Sequence, residues 1–130
     1  MKANLLLVYF LAVVMMGCAS TETVKEAKGQ GIKRVYQHPY ERVYNATLAA
    51  AKAQKLEVIE SDKSSGRMVL AHGVTLLSWG ERVAVFLQPT TTTATEVEVV
   101  SKPILSPLNF PPDWEKILLN QIDVELGSGK

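Results

Sequence analysis

The side chains able to do chemistry in this 130-residue chain are few and scattered. There is one cysteine, Cys18, and there are two histidines, His38 and His72. Nucleophilic catalysis needs a Ser or Cys held beside a base, and no G-x-S-x-G elbow is present. The histidines show no H-E-x-x-H spacing, and there is no second cysteine, so a metal site is not expected. His38 precedes Pro39 and is expected to orient or cap a helix, and His72 to close a strand. The carboxylates Glu57, Glu60 and Asp62 fall on a strand and its turn, where a solvated face accounts for them. Acid–base pairs need opposed environments, which this pattern does not supply. No glycine-rich phosphate loop occurs. The residue types therefore point away from an enzyme and imply no cofactor.

Cys18 stands out by its context. Lys2 gives a positive start, Leu5–Met16 is an apolar run, and Gly17 is small. That sequence of features is a secretory signal peptide over residues 1–17, shorter than the roughly 20 apolar residues of a membrane span. A cysteine directly after the small residue resembles the lipobox of bacterial lipoproteins. The resemblance implies cleavage between Gly17 and Cys18, acyl chains on the Cys18 sulfur and an acylated new amine. Ala19 and Ser20 follow, with no Asp first. By the sorting rule of such lipoproteins this implies the outer membrane, with the domain facing the periplasm. One acyl chain binds a membrane only marginally, whereas two or three hold.

Charge narrows the partners. The chain has 14 Lys plus Arg against 13 Asp plus Glu, and Lys2 lies in the leader, so the remainder is near neutral. No basic stripe is available to follow a phosphate backbone, which argues against nucleic acid. No polybasic patch is available for anionic lipid, so membrane attachment is expected through Cys18 alone. The lone cysteine also leaves no intramolecular disulfide.

The elements that would position these residues follow in order. Residues 18–31, ending ASTETVKEAKGQG, are polar and expected to be a flexible tether after the lipidated cysteine. Residues 32–127 are expected to form a single domain, with 128–130 as a tail. Ile32–Gln37 reads as a strand. Pro39 suits the first turn of a helix, and Tyr40, Val43, Tyr44, Thr47, Leu48 and Ala51 recur at helical spacing to about Lys55. Leu56–Ser61 and Arg67–His72 are strands joined by the Asp62–Gly66 turn. Glu81–Gln88 and Thr95–Lys102 are strands joined by a turn over Pro89–Thr93. In the last strand Val97 and Val99 are expected inward and Glu96 and Glu98 outward, a sheet with one wet face. Asp113 caps a second helix carrying Trp114, Ile117, Leu118 and Ile122, and Gly127 ends it. The core is expected from Val43, Leu48, Val58, Val69, Val85, Val97, Val99, Ile117, Leu118 and Ile122.

This order, strand, helix, four antiparallel strands, helix, is an α+β two-layer domain. Its cadence, with Tyr40 and Tyr44 at the helix start and then LEVIESDKSSGRMVLA, resembles the helix-grip modules of bacterial lipoproteins of the BamC type. That resemblance implies the fold and carries no functional residues with it.

Two loops are unusually apolar: GVTLLSWG at 73–80 and PILSPLNFPP at 103–112. Either they fold back as lids on a small core, or they form an exposed rim. In the second case Leu77, Trp79, Ile104, Leu108 and Phe110 are the candidate partner-binding patch. Two functions stay open. One is a membrane-anchored, non-catalytic interaction module that binds an envelope protein in envelope assembly or integrity. The other is a periplasmic carrier holding a lipid or other apolar ligand between sheet and helices.

Overall fold

The computed structural model describes residues 19–73, 80–103 and 112–127. The chain is α+β, consistent with a helix-grip-like arrangement. Its elements are α1 (Ala19–Glu26), β1 (Ile32–Tyr36), α2 (Tyr40–Ala53), β2 (Glu57–Asp62), β3 (Arg67–His72), β4 (Glu81–Thr91), β5 (Ala94–Pro103) and α3 (Trp114–Glu125). The five strands form one antiparallel sheet in the order β1-β5-β4-β3-β2.

One sheet face carries Met68, Leu70, Val83, Val85, Leu87, Val97 and Val99. These join Val43, Tyr44, Ala50 and Ala51 of α2 and Leu118, Leu119 and Ile122 of α3 in one buried cluster. The small residues of α2 let the helix sit close, as its alanine run suggests. Two polar ties fix the β1 edge to α3. Tyr36 Oη donates to the Leu119 carbonyl at 3.0 Å, and Arg34 pairs with Asp123 at 2.5 Å. Burial holds the Tyr36 phenol well above its ordinary pKa, helped by the neighbouring Asp123.

The helix ends follow the sequence closely. Asp113 accepts from the Lys116 N–H at 3.3 Å as an N-cap, and Gly127 has the left-handed φ of 74° that a helix stop favours. Pro39 sits one position earlier than its sequence placement, as the extended N-cap of α2 with φ −62° and ψ 153°.

Four expectations are corrected. First, Ala19–Gly31 is not simply a tether, because α1 packs on the second sheet face. Val24 and Ala27 are buried there with Val69, Ala84, Phe86 and Val100. Val69 is therefore buried, but against α1. Second, that face is not wet throughout, and Glu98 is only 2% exposed. Its Oε1 accepts from the N–H groups of Gly29 at 2.5 Å and Gly31 at 3.1 Å, which satisfies a carboxylate that burial would otherwise penalise. Third, Val58 is 41% exposed. It lies on the edge strand β2, where the register shifts between Val58 and Glu60 and breaks the simple alternation. Leu48 and Ile117 are half-buried at the margin of the core. Fourth, Pro89 is inside β4, opposite Thr95, next to a register shift between Pro89 and Thr91. Irregular positions of this kind tolerate the missing N–H.

Candidate functional site

The two apolar loops depart from the same end of the sheet. His72 pairs with Glu81, and Glu81 pairs with Pro103. The end of β3, the start of β4 and the end of β5 thus form one row. Trp114 opens α3 at the same place.

A polar knot around a buried carboxylate holds this row together. Glu81 is fully buried, at 0% exposure. Its Oε2 lies 2.8 Å from His72 Nδ1 and accepts from Trp114 Nε1 at 3.4 Å. The His72 and Trp114 rings are 4.8 Å apart, tilted at 51°. Nearby, the Ser101 N–H donates to Glu115 Oε1 at 3.2 Å, tying the first turn of α3 to β5. A buried carboxylate is costly unless it is paired and hydrogen-bonded, and here His72 and Trp114 meet that need. A His–Glu pair can position or move a proton, but a hydrolytic role also requires a nucleophile in reach. What the described geometry shows is a strut joining β3, β4 and α3.

Among the sequence-selected residues, His72 does close β3, as its position suggests. His38 contributes its carbonyl, which accepts from Thr95 Oγ1 at 3.0 Å. Asp62 caps its own turn, accepting from Ser64 Oγ at 2.7 Å and from the N–H groups of Ser64 at 3.1 Å and Ser65 at 3.2 Å. Hydrogen bonding to the ionised form, chiefly from the Ser64 and Ser65 side chains, lowers its pKa to about 2. Glu60 pairs with Lys25 of α1 at 2.7 Å. Leu77, Trp79, Ile104, Leu108 and Phe110 lie outside the described residues, as does Cys18. No group of three or more metal-ligating side chains occurs among the described residues.

Residue-by-residue reading of the sequence missed Glu81, Trp114 and Glu98 as organising groups. Glu81 is the residue that breaks the apolar inward row of β4, Val83, Val85 and Leu87. A charged residue in phase with such a row is a signal that a partner must meet it.

Among the described residues, surface hollows lie away from this end or on other faces. One of about 310 Å³ is bordered by Lys28, Tyr40, Lys63 and Gly66. A second, of about 160 Å³, lies by Lys33, Phe86 and Glu96. A third, of about 540 Å³, runs between the end of α2 and β2 along Leu48, Leu56 and Val58.

No family model and no curated protein matches the chain. Among solved structures, the crystal structure of TTHA0849 from Thermus thermophilus is similar at 14% identity and a TM-score of 0.29. The match covers 75% of this chain and 86% of that one. A likeness that low adds nothing to the fold described above.

Proposed function

We propose that this protein is a membrane-anchored lipoprotein, acylated on Cys18, whose domain is a non-catalytic interaction module in envelope assembly or integrity. The observation that supports the module reading best is the shared row His72, Glu81 and Pro103. From it both apolar loops leave the same end of the sheet, where a single partner surface can use them. At that end the Glu81 carboxylate is already engaged by His72 and Trp114, and the two loop sequences are predominantly apolar, which suits docking better than chemistry. The layer between sheet and helices is occupied by one buried cluster, which favours a module over a carrier.

The α1 packing sharpens the picture. Cys18 is covalently next to a helix that sits on the sheet, so acyl chains there would hold the domain at the membrane surface without a long leash. Metabolic labelling with radioactive palmitate tests the anchor: label is expected in the wild type and absent in Cys18→Ser. Photocrosslinking from position 79 in intact cells tests the module, with an envelope protein as the expected adduct. Label absent from the wild type refutes the anchor. Adducts to lipid alone would favour the carrier.

A further inference from the structure

The sheet face under α1 carries a pair of like charges that the described residues leave uncompensated. Arg82 on β4 and Lys102 on β5 are direct cross-strand partners. Both share the face of Ala84 and Val100, two residues away on their strands, which pack with Val24 and Ala27. Side chains directly opposite on antiparallel strands have Cβ atoms roughly 4.5–5.5 Å apart, and like charges there repel. The polar contacts of the two cations are to neutral oxygens. Arg82 Nη1 donates to the Glu81 carbonyl at 3.4 Å, and Lys102 Nζ donates to Gln30 Oε1 at 3.2 Å. Arg82 Nε is buried with no hydrogen-bond partner.

Elsewhere on this face Lys25 meets Glu60 at 2.7 Å and Lys33 meets Glu96 at 3.7 Å, while Lys28 lies over the Phe86 ring at 5.8 Å and Arg67 Nε, like Arg82 Nε, is buried with no hydrogen-bond partner. The Glu81 carboxylate, nearest in sequence, is on the opposite face with His72 and Trp114. A guanidinium with an unused N–H beside an ammonium is the donor set that an oxyanion requires. Arg supplies a planar fork and Lys a mobile point charge.

We propose that Arg82 and Lys102, with Gln30 beside them, bind a phosphate-class oxyanion, supplied either by a soluble phosphate or by the phosphodiester of a lipid headgroup. The site does not depend on acylation of Cys18.

The test uses the full chain in maltoside micelles, titrated with inorganic phosphate and separately with dihexanoylphosphatidylglycerol, reading the Arg82 Nε–H resonance and protein amide shifts. Saturable shifts around Arg82 and Lys102 are expected with both probes. In Arg82→Gln/Lys102→Gln affinity is expected to fall at least about tenfold, read on the Gln30 amide, while Lys52→Gln/Lys116→Gln leaves it unchanged. Tighter binding of the lipid probe assigns the source to a headgroup, and equal or tighter binding of inorganic phosphate assigns it to a soluble ester. Because the pair repels, Arg82→Gln and Lys102→Gln should each hold or raise the melting temperature. The proposal is overturned if neither probe gives a saturable shift, or if the site variant binds as the control does. A marked fall in melting temperature in either single variant, showing the pair to be structural, also overturns it.

Discussion

Glu98 holds Gly29: its Oε1 accepts the Gly29 N–H at 2.5 Å, and the Gly31 N–H as well at 3.1 Å. This clasp fixes the turn between α1 and β1. Just beyond it, Gly31 sits so close to β5 that an added Cβ would lie 2.1 Å from the Val99 carbonyl oxygen. Hydrogen bonds to a charged group contribute about 1.5–3 kcal/mol, and stranding their donors adds a desolvation cost. Glu98→Ala is therefore expected to lose about 2–3 kcal/mol and to speed amide exchange in α1 more than in α2. Equal protection of α1 in variant and wild type would show that Val24 and Ala27 hold the helix without the clasp.

The helix α1 also marks where the sequence was hard to read. Among its described side chains the buried apolar ones are Val24 and Ala27, too few for a 3.6-residue period to emerge from a polar stretch. The signal lay in the strands instead. Val69, Ala71, Ala84, Phe86 and Val100 are apolar on the face that alternation assigns to solvent, the mark of a sheet covered on both sides. By contrast α2, β3, β5 and α3 were legible within a few residues. Their periodicity is strong, and Asp113 and Gly127 punctuate α3 chemically. Val58 misled because an edge bulge is set by pairing, which local alternation cannot report. The Glu81 knot was hidden for a related reason: His72 and Trp114 lie far apart in sequence and meet only through the strand register.

Two backbone positions give opposite outcomes. Lys55 closes α2 with a φ of 56°. The Leu56 N–H bonds the Ala51 carbonyl at 2.9 Å and the Lys55 N–H bonds the Lys52 carbonyl at 3.0 Å, a Schellman ending in which glycine is the usual residue. Lys55→Gly is expected to stabilise the fold by about 0.5–1 kcal/mol in a urea melt, the left-handed strain removed outweighing the added chain entropy. Gly66 has a φ of 70°, and a Cβ there would lie 2.1 Å from the Leu87 carbonyl oxygen. Gly66→Ala is expected to cost more than about 2 kcal/mol. An Ala variant as stable as wild type would contradict the β3–β4 contact at this turn.

Asp62 predicts a pH response with a definite sign. Its pKa is lowered to about 2 by hydrogen bonds led by the Ser64 side chain, whereas an unfolded Asp titrates near about 3.9. The folded state thus favours the ionised form. The contribution is present in full above the unfolded value and is lost as the pH falls through about 2. Carboxyl-carbon chemical shifts should place the Asp62 midpoint below those of ordinary Asp groups, and Ser64→Ala should move it upward. An Asp62 midpoint near about 3.9 would mean that the turn hydrogen bonds do not persist in solution.

The interaction-module proposal makes its sharpest prediction at Trp79 and Phe110. Both belong to loops that leave the His72–Glu81–Pro103 row, and both lie outside the described residues. If the loops form a partner surface, these aromatics carry much of its binding energy, since Trp is favoured at interface hot spots and exposed apolar patches mark interaction sites. The domain's core is already formed by α2, α3 and the sheet, so it should not need them. Trp79→Ala/Phe110→Ala is then expected to abolish partner capture in intact cells while moving the melting temperature by only a degree or two. The comparison is Leu118→Ala, which empties a site with 0% exposure and should cost about 2–5 kcal/mol. Should the loop pair destabilise the protein as much as Leu118→Ala does, both aromatics are lids on the core and the partner surface lies elsewhere. Should stability hold while a co-purifying lipid disappears from native mass spectra, the carrier reading replaces the module.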